Sequence, residues 1–158
     1  MYTQLKERLT ITIPYNLAVK DISNQEYNSD EISKDKVDLY LKLIEEYGYK
    51  PHLMEIDKII EFVEKERRIT FKVDIAIYNT NLQPKIYIVI NNAKYKTKGF
   101  NLIMRKFFKA ARLEGNNSIE SIIYKNPGKK LIVINFKKYR NYTSWKDSKY
   151  SSKNLTKN

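Results

Sequence analysis

Three polar residues flank two apolar, strand-like segments of the chain and could act together on a phosphate. Asp74 opens "DIAIY", while Asn92 and Lys94 close "KIYIVINNAK". Asn92 and Lys94 are two residues apart, so a strand would place them on the same face. A carboxylate pair would hold a hard divalent cation, and a neighbouring lysine would orient water or stabilise charge on a phosphate. Residue 92 departs from that set, because an amide oxygen carries no charge.

Each of these residues also has a purely structural interpretation. Asp74 would be a turn or edge residue and Asn92 a strand terminator, because both residue types are common in turns. Lys94 belongs to the basic run "KYKTK", which is typical of a solvated loop. Only the order of the three residues along the chain, together with the elements around them, favours a shared site.

Composition and charge limit the classes of protein that fit this chain. Its 158 residues are enough for one domain with a core. The net charge of +12 favours a polyanionic partner such as nucleic acid, although an AT-rich genome would also enrich the chain in lysine. No cysteine and one histidine exclude thiolate chemistry and histidine-rich metal sites. Since no signal-like or membrane-length apolar run is present, we expect a cytoplasmic protein.

Hydrophobic periodicity predicts an α/β fold with a mixed central β-sheet flanked by helices. One helix is predicted from residue 30 to Gly48, and a second, with one basic face, from Phe100 to Leu113. The predicted strands are 69–78, 85–90, "SIESIIY" and "LIVINF". Residues 52–66 fit either a helix or a strand by periodicity alone.

The chain is predicted to comprise three segments. These are an N-terminal strand or arm at residues 1–29, a core domain at 30–136 and a basic, flexible tail at 137–158. The tail interleaves lysine and arginine with tyrosine and tryptophan, which would let it bind phosphates while stacking on bases. A solvated terminus whose charge only aids solubility is the alternative.

Four segments follow one another in the order of a known nuclease pattern. They are "LIEEYGY" (43–49), "KIIEFV" (58–63), "KVDIAIY" (72–78) and "KIYIVINNAK" (85–94). In this order, residues 34–136 resemble the restriction-endonuclease-like nucleases, whose signature is an acid, a gap and an acid-x-lysine triplet. Within that group, the chain is most similar to the N-terminal nuclease domain of type I restriction enzyme motor subunits. The resemblance implies a restriction-endonuclease-like fold and favours a strand at 58–63.

The resemblance also implies a DNA endonuclease that depends on Mg²⁺ or Mn²⁺. Asp74 and Glu61 would bind the metal, Asn92 would be a weak third ligand, and Asp74 and Lys94 would be the catalytic pair. The family's helix carries glutamine and tyrosine where this chain has Met104 and Phe108. The expected nucleic-acid contacts are Lys96, Lys98, Arg105, Lys109, Arg112, Lys137, Lys138 and Arg140.

Asn92 leaves three interpretations of the site open. The site would bind metal weakly and cleave slowly, or another acid such as Glu64 or Glu55 would supply the missing charge, or the fold would have kept its DNA-binding surface and lost catalysis. The expected partner is double-stranded DNA rather than a membrane, and the resemblance allows a homodimer or a larger restriction-type complex. A non-catalytic DNA-binding module and a small interaction or assembly protein of a phage or mobile element are the alternatives to an enzyme.

Overall fold

The computed structural model describes residues 31–115 and 117–148 and shows an α/β fold. The helices are α1 (Glu31–Glu45), α2 (Lys98–Gly115) and α3 (Tyr142–Lys146). The strands are β1 (Met54–Glu64), β2 (Arg67–Tyr78), β3 (Pro84–Ile90), β4 (Ser121–Lys125) and β5 (Ile132–Asn135). The predicted arm at 1–29 and the last part of the predicted tail, 149–158, lie outside the described residues. None of these three helices has the length and apolar composition needed to cross a bilayer.

The five strands form one mixed sheet in the order β1-β2-β3-β4-β5. Strands β1, β2 and β3 are an antiparallel meander, α2 crosses over to β4, which runs parallel to β3, and β5 returns antiparallel to β4. The predicted mixed sheet flanked by helices is confirmed, and the ambiguous segment 52–66 contains β1 rather than a helix. Because β3 and β4 are parallel, their carboxyl ends at Ile90 and Lys125 lie side by side.

Helices cover both faces of this sheet. Helix α1 packs Val37, Leu41 and Leu43 on one face, and the larger core lies on the other face beneath α2 and α3. Strands covered on both faces are continuously apolar, which explains why "IYIVI" in β3 shows no alternation. The helical residues of the larger core are Phe100, Met104, Phe107, Phe108, Ala110, Ala111, Tyr142 and Trp145.

In β1 and β2, the face of the sheet on which alternate side chains lie switches at one matched position. Ile75 packs on the α1 side, whereas Val73, two residues earlier, packs on the α2 side. The register on either side of this point places Asp74 opposite Asp57, and Asp57 has a φ of 56°, a left-handed conformation that aspartate tolerates better than most residues. The last pair between β2 and β3 is Ile75 with Ile88. The two strands therefore separate next to Asp74.

The segment after residue 136, predicted to be a tail, contains part of the core. Asn141 caps α3, since its side-chain oxygen accepts a hydrogen bond from the Ser144 amide at 2.9 Å. Tyr142 and Trp145 project from this short helix into the α2-side core, where both rings lie near Phe108. The packed structure thus continues past the predicted boundary at residue 136.

Candidate functional site

Asp74 is a buried carboxylate at the point where β2 and β3 separate. The residue is 1% exposed. The Ile90 amide donates a hydrogen bond to Asp74 Oδ2 at 2.6 Å, at the position where β2 no longer pairs with β3. An unpaired buried amide is costly, so the carboxylate satisfies the last N–H of β3.

Two ammonium groups hold this carboxylate together with that of Asp57. Lys36 Nζ lies 2.6 Å from Asp57 Oδ1 and 3.3 Å from Asp74 Oδ1. Lys72 Nζ lies 4.0 and 3.5 Å from the same two oxygens. Asp74 Oδ1 is within ion-pair distance of both lysines but accepts no hydrogen bond of good geometry. We call Lys36, Asp57, Lys72 and Asp74 the paired-acid cluster.

Lys36 is the unusual member of the paired-acid cluster because it is a lysine that is almost completely buried. It is 4% exposed, and lysine is almost never fully buried unless it is paired. Burial lowers the pKa of Lys36, but its hydrogen bond to Asp57 and the negative charges of Asp74 and Asp57 outweigh that effect and raise the pKa above 10.5. Lys36 therefore remains an ammonium ion at neutral pH, and together with Lys72 it balances the charge of the two acids.

The raised pKa of Lys36 predicts a loss of stability in strong alkali. Because the pKa is higher in the folded than in the unfolded state, the contribution of Lys36 is fully present below about pH 10.4 and disappears as pH rises through the folded-state pKa. We expect the free energy of unfolding of the wild type to converge on that of Lys36→Met above pH 10.5. Urea titrations of both proteins from pH 8 to pH 12 measure this difference, and a constant gap over that range would contradict it.

The residues of the paired-acid cluster do not fit the divalent cation that the sequence resemblance implies. A hard divalent ion depends on several charged oxygen ligands, whereas both carboxylates here already face the Lys36 and Lys72 ammonium groups. Across residues 31–115 and 117–148, no group of three or more His, Cys, Asp or Glu side chains is placed to hold a metal ion. The Lys36 ammonium lies where two opposed carboxylates would otherwise attract a cation.

The other two predicted metal ligands lie apart from this cluster. Glu61 pairs with Thr70, four residues along β1 from Asp57, which is about 13 Å along a strand. Its carboxylate lies 3.8 Å from Arg68. Asn92 is exposed in the turn after β3. Glu61 therefore lies away from Asp74, and Asn92 supplies no charge to it.

Lys94 follows β3 into a turn that is attached to β4. The Ala93 carbonyl accepts hydrogen bonds from the Tyr124 hydroxyl at 2.6 Å and from Asn126 Nδ2 at 2.9 Å. Thr97 ends the turn, donating its hydroxyl to the Lys94 carbonyl and accepting the Phe100 amide at the start of α2. The polar contacts of Asp74 are with the Ile90 amide, Lys36 and Lys72. A joint catalytic role for Asp74 and Lys94 therefore stays a prediction.

Two adjoining cavities lie beside this turn, at the carboxyl ends of β3 and β4. The larger is about 490 Å³ and is lined by Lys94, Tyr95, Tyr124, Asn126, Lys129, Lys130, Ile132 and Trp145. The smaller is about 250 Å³ and is lined by Tyr95, Lys96, Asn101, Tyr142, Trp145 and Lys146. We call the two together the carboxyl-end groove. Of the residues that the structure describes, none that lines the groove carries a carboxylate, and five are lysines.

The predicted nucleic-acid contacts divide into groove residues and a separate surface. Lys96 lines the groove, and Lys98 is exposed at the start of α2. On α2, Lys109 lies against β1, where it forms an ion pair with Glu64 at 3.0 Å, and Arg112 donates to the Arg140 carbonyl at 2.7 Å. These two side chains support the packing of α2 against its neighbours.

The remaining predicted basic contacts lie against aromatic rings of the α3 region. Arg105 lies 5.9 Å from the Tyr142 ring centroid, Lys138 lies 5.4 Å from that of Tyr139, and Arg140 lies 5.0 Å from that of Phe136. Lys137 is exposed. Cation–π contact leaves a surface charge accessible, so a role for these residues in phosphate binding stays a prediction.

Comparison with known proteins finds similarity to a curated protein and to a solved structure. No protein-family model matches the chain. A Methanocaldococcus jannaschii protein named as an uncharacterized metal-dependent hydrolase is 26% identical over 103 residues, which cover 61% of this chain and 41% of that protein. This chain thus spans well under half the length of that relative. The crystal structure of SSO0001 is 14% identical, covers 85% of this chain and 78% of that one, and superposes with a TM-score of 0.38, which supports no conclusion about fold or function.

Two parts of the candidate site were not predicted from the sequence. Asp57, Lys36 and Lys72 complete the paired-acid cluster, and Lys129 and Lys130 complete the groove. Lys129 and Lys130 stand in the turn "KNPGKK" between β4 and β5, and a basic turn at the carboxyl end of a strand was an available signal. Lys36 stands four residues before the buried Tyr40, so its place on the inward stripe of α1 was a second signal.

Proposed function

We propose that this protein binds nucleic acid on a restriction-endonuclease-like core and does not cleave it by the metal-dependent route of that fold. The observed element order supports the core: a helix, three antiparallel strands, a crossover helix and a strand parallel to the third. This order agrees with the order of the four segments that resemble type I motor subunits. Asp74 also lies at the end of β3, where the acidic residues of that pattern would meet.

The observation that carries nucleic-acid binding is the charge of the carboxyl-end groove. Lys94, Lys96, Lys129, Lys130 and Lys146 line its two cavities. Lysines that neutralise phosphates release counterions, which supplies most of the sequence-independent affinity for DNA. A net charge of +12 adds attraction at longer range. A polyanion with regularly spaced phosphates is the partner that this groove fits best.

The paired-acid cluster argues against cleavage. In a metal-dependent phosphodiesterase the carboxylates hold the ion that stabilises charge on the phosphate. Here Lys36 and Lys72 already neutralise Asp57 and Asp74, and residue 92 adds no charge. These carboxylates therefore stabilise the fold, by satisfying the Ile90 amide and pairing with α1, rather than binding a catalytic ion.

Binding of duplex DNA with a strong salt dependence is the expected result. If the five groove lysines each neutralise one phosphate, the logarithm of the association constant falls against the logarithm of salt concentration with a slope of about −4.5. Fluorescence anisotropy of a labelled 20-base-pair duplex between 50 and 300 mM NaCl measures this slope. Lys129→Ala and Lys130→Ala should each reduce it by about one. Lys50→Ala, an exposed lysine before β1 at the opposite end of the sheet, is the matched control.

Supercoiled plasmid incubated with Mg²⁺ or Mn²⁺ tests the second half of the proposal. We expect the plasmid to remain supercoiled with the wild type, and nicking that appears only in Asn92→Glu would identify a decayed site. A metal-dependent hydrolase is the competing function, which the name of the Methanocaldococcus jannaschii relative favours. Metal-dependent nicking by the wild type that disappears in Asp74→Ala would establish that function instead.

A further inference from the structure

The larger cavity of the carboxyl-end groove lies where α/β sheets commonly bind ligands. Strands β3 and β4 are parallel and joined by α2, and ligands of such sheets bind outside the carboxyl ends of the strands. The cavity lies directly after Ile90 and Lys125, beside the turns that leave the two strands. Its volume of about 490 Å³ lies within the range of small-molecule sites. A single nucleotide unit is a ligand of suitable size.

The polar side chains of this cavity favour an anion. Lys94 comes from the turn after β3, and Lys129 and Lys130 come from the turn after β4. The three lysines therefore belong to two neighbouring turns and line one cavity. The Tyr124 hydroxyl is used by the Ala93 carbonyl, and burial raises the pKa of Tyr124 to about 12, so it stays neutral. The net charge of this lining suits one or two phosphate groups.

The aromatic side chains of this cavity favour a planar base beside that phosphate. Tyr95 is 53% exposed, and its ring meets Phe100 edge to face at 5.1 Å and lies 6.4 Å from Trp145. These contacts fix the orientation of a ring that is otherwise open to solvent. Lys96 Nζ lies 5.5 Å from the Tyr95 centroid, and an exposed lysine moves aside easily. A base that stacks on Tyr95 would displace this ammonium towards its own phosphate.

We propose that the carboxyl-end groove holds one unpaired nucleotide of a DNA strand. Its base stacks on Tyr95, and its phosphate lies between Lys94, Lys129 and Lys130. A base within a duplex is stacked between its neighbours and cannot reach the Tyr95 ring, so the ligand is a single-stranded end, gap or flap. This inference rests on the proposed nucleic-acid binding and adds the strand type and the residue that recognises it.

Trp145 provides the measurement, since it is the single tryptophan of the chain and lines both cavities. Titration with hexathymidylate is expected to quench its fluorescence saturably, because a base on Tyr95 would lie close to the indole. Tyr95→Ala should weaken binding about ten-fold, whereas Tyr95→Phe should retain it, because stacking contributes about ten-fold or more per base. The double variant Lys129→Ala/Lys130→Ala should also weaken binding, and Lys50→Ala should not.

Three further ligands separate this inference from the proposed function. Inorganic phosphate and thymidine monophosphate should bind more weakly than hexathymidylate, and equal affinity for the monophosphate would overturn the assignment to a strand. Two results would overturn the assignment of a nucleotide to the groove and leave the proposed function intact, provided that duplex DNA still binds with salt dependence. In the first, hexathymidylate does not change the fluorescence of Trp145. In the second, Tyr95→Ala does not weaken hexathymidylate binding. Failure to bind both duplex and single strand would overturn the proposed function itself. Thermal unfolding of each variant checks that it is folded.

Discussion

Replacing Lys36 with methionine is expected to lower the free energy of unfolding by about 3 kcal/mol. Methionine keeps most of the side-chain volume on the inward stripe of α1, so the loss reflects charge rather than a cavity. Asp74, which is almost fully buried, would lose its closest counter-ion, and an uncompensated buried charge is costly. Lys72 remains 3.5 Å from Asp74, which keeps the expected loss at the lower end of the usual range. Urea unfolding followed by far-ultraviolet circular dichroism measures it.

Two further variants distinguish the buried charge from a general effect on the helix. Lys42→Met removes an exposed lysine of the same helix, which lies 3.9 Å from Glu46, and should cost less than about 1 kcal/mol. Lys36→Met combined with Asp74→Asn removes both charges and should recover part of the loss, since asparagine can still accept the Ile90 amide. Equal losses for Lys36→Met and Lys42→Met would show that Lys36 does not neutralise Asp74.

Most of the secondary structure could be predicted because its hydrophobic pattern is unambiguous. The helix after residue 30, the helix that begins near Phe100, and the strands at 69–78 and 85–90 are all present with small shifts of their ends. Their apolar residues recur at the spacing of a helix or in runs of strand length. Periodicity alone did not decide β1, where "KIIEFV" fits both patterns, and the resemblance to a nuclease pattern correctly favoured the strand.

The partner of Asp74 could not be predicted, because the turn that sets the register has no recognisable sequence. Glu64 pairs with Arg67, so Lys65 and Glu66 form a two-residue hairpin turn. Both have positive φ, 51° and 64°, as a type I′ turn requires, and such turns usually contain Asn-Gly or Asp-Gly. With the turn identified, counting back along both strands places Asp57 opposite Asp74. The sequence pointed instead to Glu61, which lies four residues further along β1.

The candidate site differs from the nuclease pattern because Asp74 and Lys94 have different charged neighbours. The resemblance pointed to Asp74 and Lys94 as one site, but the chemistry of a site depends on which charges surround each group. Asp74 is enclosed by ammonium groups from α1 and β2, whereas Lys94 lies with other lysines beside β4. The residues of one pattern therefore lie in two separate places. The first is a charge-balanced cluster within the fold, and the second presents positive charge at the surface.

Replacing Trp145 with alanine is expected to lower the free energy of unfolding by about 4 kcal/mol. Trp145 is 2% exposed, and its ring lies 5.9 Å from that of Tyr142 and 6.3 Å from that of Phe108. Truncation would remove these contacts and leave a cavity between α2 and α3. The basic composition after residue 136 predicted a flexible tail, but Tyr142 and Trp145 are spaced for one face of a helix, and that spacing outweighs the composition. Urea unfolding measured by circular dichroism gives the value.

Neighbouring substitutions show whether the loss comes from the core contact of Trp145. Lys146→Ala changes an exposed residue of the same helix and should leave stability within about 0.5 kcal/mol of the wild type. Asn141→Ala removes the cap of α3 and should cost about 1 kcal/mol. A loss of less than about 1 kcal/mol for Trp145→Ala would mean that α3 contributes little to the core. The groove would then lack a fixed wall, because Trp145 lines both of its cavities.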